Sequence, residues 1–136
     1  MRIWLLFGIL ATHSMAYANW TTETEKMANA INQDKRLQSS IIHNVTMKDW
    51  GMCMPFSIVL SAQEYKLEEP AIKAGAMLIE SLRFYKWSRL KAGVKESTFE
   101  EADKVYISEF KKDVNSALGK YMNPCFKVLQ RINNDL

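Results

Sequence analysis

The chain has 136 residues, 18 lysines and arginines against 15 acidic side chains, a formal net charge of +3 and 48% hydrophobic residues. That apolar content supports a folded core and excludes an intrinsically disordered chain. The charges are mixed, with no block of five or more alike, which argues against the gathered basic face of a nucleic-acid binder.

Met1-Arg2 opens the sequence, the apolar run Ile3 to Ala11 follows, then polar Thr12-His13-Ser14, and alanines stand at positions 16 and 18. A positive charge, a short hydrophobic stretch and small residues at −3 and −1 have the form of a secretory signal peptide. The run is far short of the roughly 20 apolar residues needed to cross a bilayer as a helix. No cysteine lies near the cleavage point to carry a lipid, so no membrane anchor is expected. The reading is a cleaved signal peptide over residues 1–18 and one exported domain over residues 19–136, a size that suits a single domain.

Helix is the dominant signal beyond residue 18. Thr22-x-x-Glu25 has the form of a capping box, and Met27 and Ile31 begin an amphipathic stripe that extends towards Leu37. The polar stretch "QSSIIHNVT" is expected to break it. A second helix is predicted to start near Thr46, with Asp49 completing a cap and Met47, Trp50, Cys53 or Met54, and then Leu60 recurring at helical spacing. Pro55 falls inside that pattern, where it costs a hydrogen bond and crowds the carbonyl four residues back. That residue is Gly51, read as the one that makes room for it.

The third helix is the strongest, from "LEEP" to Gly93. Glu68 and Glu69 suit its positive end, Pro70 the first helical position and Gly93 the stop. Ile72, Gly75, Ala76, Ile79 and Leu82 form its buried stripe. Thr98-x-x-Glu101 is expected to cap a fourth helix whose Ala102, Tyr106, Phe110, Val114 and Leu118 share a face, ending at Gly119. Asn123-Pro124 reads as the start of a last helix. The fold class expected is all-α: one compact bundle of about five helices with one disulfide.

The disulfide is expected between Cys53 and Cys125, because an exported chain with an even cysteine count has partners available in an oxidising compartment. A thioredoxin-type site needs two cysteines two residues apart, and neither has such a neighbour. A competing reading is a Cu(I) site built from Met52, Cys53, Met54, Met122 and Cys125, since thioethers and thiolates suit that ion. Met52 and Met54 flank Cys53 by about 100° either way on a helix, which opposes a common ligand geometry. No metal or other cofactor is therefore expected. Catalysis has little support. His43 is the one histidine after residue 18 and falls in the expected break, and neither Gly-x-Ser-x-Gly nor His-Glu-x-x-His occurs. Glu68-Glu69 and Glu100-Glu101 stand at expected helix starts, where negative charge is stabilising in itself. The expectation is a protein that is not an enzyme.

Binding has better candidates. "RFYKWSR" places Phe84, Tyr85 and Trp87 within four positions. At about 100° per residue they cannot all face one core, so at least one is expected at the surface, with Arg83 and Arg89 beside it. The segment Lys91 to Thr98, "KAGVKEST", is the longest polar connection between strong helices.

Two segments carry a resemblance. "TMKDWGMCMPF" is similar to a helix, and "LGKYMNPCFKVLQRINNDL" to the cysteine-bearing C-terminal helix, of the periplasmic immunity proteins that neutralise type VI secretion amidase effectors. The resemblance implies an all-helical homodimer in the Gram-negative periplasm that plugs the active-site groove of a secreted peptidoglycan amidase. The family's plug maps onto the connection here, so Lys91, Val94, Lys95, Glu96, Ser97 and Thr98, with Trp87 beside them, are the residues expected to bind the partner. The alternative is a small periplasmic chaperone of the acid-stress type, which exposes apolar surface at low pH.

Overall fold

Residues Met47 to Ala62 are apolar around almost the whole helix, and a helix of that kind must sit inside others. This segment is the centre of the computed structural model, which describes residues 19–62 and 67–136. The expected signal peptide over 1–18 lies outside the described residues. Six helices and no strand are found among the described residues: α1 (19–33), α2 (Lys35–Asn44), α3 (Met47–Ala62), α4 (Glu69–Lys91), α5 (Glu96–Lys112) and α6 (Val114–Asn134). The class is all-α as expected, with one helix more than the five foreseen.

α3 packs against α4, α5 and α6, and α2 against α4 and α6. Phe56, Ile41, Leu78, Leu82, Val128 and Ile132 are fully buried where these helices meet. α4 buries the expected stripe of Ile72, Gly75, Ala76, Ile79 and Leu82. A Cβ at Gly75 would collide with the indole of Trp20, so this glycine is the seat on which α1 docks. α6 buries Ala117, Leu118, Tyr121, Cys125, Val128, Leu129 and Ile132, a clean 3.6-residue pattern.

The expected cap at Thr46 forms. Thr46 N–H donates to Asp49 Oδ2 at 3.0 Å, and Asp49 N–H to Thr46 Oγ1 at 3.1 Å. α3 then runs through Pro55. Gly51 has a reason the sequence did not show: a Cβ there would enter the backbone carbonyl of Ala102, so its missing side chain sets the approach of α5. α4 begins at Glu69, with Pro70 one place further in than expected.

Several further boundaries differ from expectation. α1 is already helical at residue 19, so Thr22 is interior and no capping box forms there. The break falls at Asp34, whose carboxylate accepts from the amides of Arg36 and Leu37 at 3.0 and 3.1 Å. The stretch expected to be irregular is helix α2 instead. Its Ser40 hydroxyl donates to the Ile132 carbonyl on α6, which removes the cost of burying it. The run from Ala102 to Leu118 is interrupted at Asp113, which caps α6 by accepting from Ser116 N–H at 3.1 Å. Finally, Asn123-Pro124 is interior to α6 rather than its start.

The α5–α6 seam is polar at one point. Glu109 Oε2 accepts from the Tyr121 hydroxyl at 2.6 Å and from Lys120 Nζ at 3.1 Å. The Tyr121 bond first, then the Lys120 bond, hold the Glu109 carboxyl below its ordinary value. Burial, then the bond to Glu109, pushes the Tyr121 phenol up, and the Glu109 bond raises Lys120. A lowered carboxylate stabilises the fold above its unfolded pKa, about 4.3 for glutamate, and that contribution is lost as pH falls through the folded value. A raised tyrosine or lysine stabilises below its unfolded pKa, about 10, and that contribution is lost as pH rises through the folded value. The seam is therefore expected to contribute evenly near neutrality and to weaken at both extremes. In urea denaturation across pH, the stability gap between wild type and Glu109→Gln should close at both the acid and the alkaline end.

Candidate functional site

Three rings in four positions cannot share one face of a helix, and the structure divides them. Tyr85 is buried, Phe84 is half-buried and Trp87 is 54% exposed near the end of α4. Burial raises the Tyr85 phenol, against the pull of Arg89. The Trp87 ring lies 5.8 Å from that of Phe84, and Lys91 Nζ stands 4.5 Å from the indole centroid, a cation–π contact.

α4 ends in a left-handed turn. Gly93 has φ of 101°, a conformation that suits a residue without Cβ. Gly93 N–H donates to the Leu90 carbonyl and Val94 N–H to the Arg89 carbonyl, both at 3.0 Å, which is the paired bonding of a Schellman cap. Val94 packs half-buried against the core behind this cap. Lys86 then ties the turn down: its Nζ donates to Glu96 Oε1 at 2.6 Å and stands 5.3 and 5.4 Å from the Trp50 and Phe99 rings. Those two rings pack edge to face at 4.9 Å.

The expected loop Lys91 to Thr98 is thus a short knuckle. Lys91 is the last residue of α4, Lys95 is the N-cap of α5, and Glu96, Ser97 and Thr98 form the first turn of α5. Thr98 therefore does not begin a helix, and the capping box expected with Glu101 is absent, because α5 starts earlier at Glu96. Of the residues expected to bind a partner, the structure gathers Trp87, Lys91, Lys95, Ser97 and Thr98 as exposed groups around one turn. Val94 and Glu96 are engaged in holding that turn, the first by packing and the second by its bond to Lys86. Lys86 was legible only as one letter of "RFYKWSR". Its partner on α3, Trp50, is remote in sequence, and those on α5, Glu96 and Phe99, lie across the turn, so no local pattern announces them.

Cys53 and Cys125 are disulfide-bonded, with Cα atoms 5.5 Å apart, a separation of 72 residues and no exposure. Each sulfur is committed to the other, so the thiolates required by the copper reading are not on offer. His43 lies on α2 rather than in a break, with its Nδ1 3.1 Å from the Ser39 carbonyl. Glu69 pairs with Lys73 at 3.4 Å, and Glu100 and Glu101 are exposed on the first turns of α5. What the arrangement around the turn offers is shape and charge: an exposed indole, lysines and small hydroxyls on a braced corner. Comparison with family models, characterised proteins and solved structures returns no match.

Proposed function

We propose that this protein is a periplasmic immunity protein that blocks a type VI secretion peptidoglycan amidase by seating the α4–α5 turn in its active-site groove. The observation that carries the reading is a large indole left 54% exposed beside a turn held by its backbone bonds, by Val94 and by the Lys86–Glu96 bond. A turn already held by hydrogen bonds and an ion pair has less ordering entropy to lose on binding, and tryptophan is among the commonest interface anchors. Blocking a groove needs no reaction from the inhibitor, so the absence of a catalytic signature in the sequence does not count against it. The two sequence segments that resemble the family lie on α3 and α6, the helices joined by the disulfide. The same resemblance implies a homodimer, which sedimentation equilibrium would test.

Trp87→Ala combined with Lys95→Glu is expected to weaken binding to the amidase at least a hundredfold, while helicity and melting stay close to wild type. Both side chains are exposed, and the contacts of Trp87 are with half-buried Phe84 and exposed Lys91, so little stability should be lost. Protection of cells against the amidase should fall in parallel. If the double variant protects as well as wild type, the turn is not the inhibitory surface. Suppression of aggregation that rises as pH falls would favour the acid-stress chaperone reading instead.

A further inference from the structure

α3 and α5 run in the same direction. Trp50 meets Phe99 at 4.9 Å and Gly51 faces the Ala102 backbone near their starts. Further along, Met54, Pro55, Ile58 and Val59 of α3 and Ile107 and Phe110 of α5 wall a furrow of about 290 Å³. Ile58 is 46% exposed at its lip. The volume lies at the lower bound of the roughly 300–1,000 Å³ of small-molecule sites, and it suits side chains offered by a facing helix. α5 packs on α3 and α6, and its stripe of Asp103, Ile107 and Lys111 borders the furrow.

That stripe has a reversed symmetry. Residues four apart form one ridge along a helix, of the kind that packs into the groove of a second helix. Asp103 and Lys111 stand four residues to either side of Ile107, about 6 Å each way along the axis. Neither has an ion pair among the described residues. An occupant that answers both must bring a cation to Asp103 and an anion to Lys111, about 12 Å apart with an apolar group between them. A ligand of one charge, of either sign, answers only one of them. The same ridge turned end for end supplies all three groups in the required order. In a two-fold contact residue i meets j and j meets i, so a single dyad at Ile107 pairs both charges of both copies. A parallel arrangement would oppose like charges, which is costly at an interface. We infer that the α3–α5 furrow is a self-association surface on which a second copy of the chain lays its α5 antiparallel, Asp103 of each copy meeting Lys111 of the other. None of these residues belongs to the α4–α5 turn, and the surface does not depend on the inhibitory reading.

Sedimentation equilibrium of the purified protein tests this with Asp103→Lys, Lys111→Asp, the double reversal and an equimolar mixture of the two single variants. Wild type should form a reversible dimer and no larger species. Each single reversal places like charges together at two points and should weaken the dimer at least tenfold. The double reversal should restore it, and so should the mixture, because one single variant then carries only cations on the ridge and the other only anions. Ile58→Glu should leave a monomer. Circular dichroism confirms that each variant is folded; Lys111→Asp, at an exposed position, reads the pairing by itself if Asp103→Lys does not fold. A monomeric wild type, a dimer indifferent to the single reversals, or a double reversal that stays weak would each overturn the assignment. Any of these would leave the α4–α5 turn untouched as an inhibitory surface, since amidase binding is read separately.

Discussion

Replacing Cys53 and Cys125 together with alanine is expected to lower the unfolding free energy by about 4 kcal/mol, the loop-entropy value for a separation of 72 residues. The expectation rests on position as much as on loop length. The bond joins the middle of α3, the central helix, to the middle of α6, and both sulfurs are fully buried. For a domain of this size total stability is typically about 5–15 kcal/mol, so the variant should retain only a fraction of it and melt lower by about 10–20 °C. Urea denaturation of the oxidised protein, the reduced protein and the double alanine variant provides the comparison. Reduced protein and variant should agree to within the cost of the two lost sulfurs. A change below about 1 kcal/mol in both would mean that the bond closes a structure already held by packing.

Gly51→Ala is expected to destabilise the fold by about 2 kcal/mol, in the range of overpacked cores. The sign is the informative part. Exchanging a helical glycine for alanine in open space stabilises by about 1 kcal/mol through helix propensity. Gly119 is such a position, with no neighbouring atom within 4 Å of the place a Cβ would take. At Gly51 the added carbon enters the Ala102 carbonyl, which is backbone and can yield only by moving α5 away from α3. The two substitutions should therefore have opposite signs in thermal denaturation. Displacing α5 also disturbs the Lys86–Glu96 bond, so Gly51→Ala should weaken partner binding although the residue lies inside the bundle. If Gly51→Ala were as stabilising as Gly119→Ala, the close approach of the two helices would not be a determinant of the fold.

What the sequence revealed and what it hid divide along local and tertiary causes. The α3 cap was legible because both of its bonds lie within the four residues Thr46 to Asp49. The α4 stripe and the cysteine pairing were legible from periodicity and from the count of cysteines. The nature of α2 was not, because Ser40 and Asn44 read as turn formers. Their polar groups are satisfied from α6 and its C-terminal end, by the Ile132 carbonyl and by Asp135. The α5–α6 junction was hidden because Phe110 and Val114 keep the same four-residue spacing across Asp113, so the stripe continues through the break. Pro124 misled for the converse reason: burial of Tyr121, Cys125 and Val128 on either side carries α6 past a residue that ordinarily costs about 3 kcal/mol inside a helix. At the turn, sequence supplied the exposed aromatic and the polar residues, whereas the Lys86 clamp and the engagement of Val94 and Glu96 required the packed structure.

The central claim is that the braced α4–α5 turn is an inhibitory surface. Its most direct test is a calorimetric titration of the protein into an exported peptidoglycan amidase encoded beside its own gene, for wild type and for Trp87→Ala/Lys95→Glu. The account predicts a saturable complex with one inhibitor chain per amidase and nanomolar affinity, weakened at least a hundredfold in the double variant. Wild-type protein that leaves the amidase unbound, or a variant that binds as tightly as wild type, would contradict it.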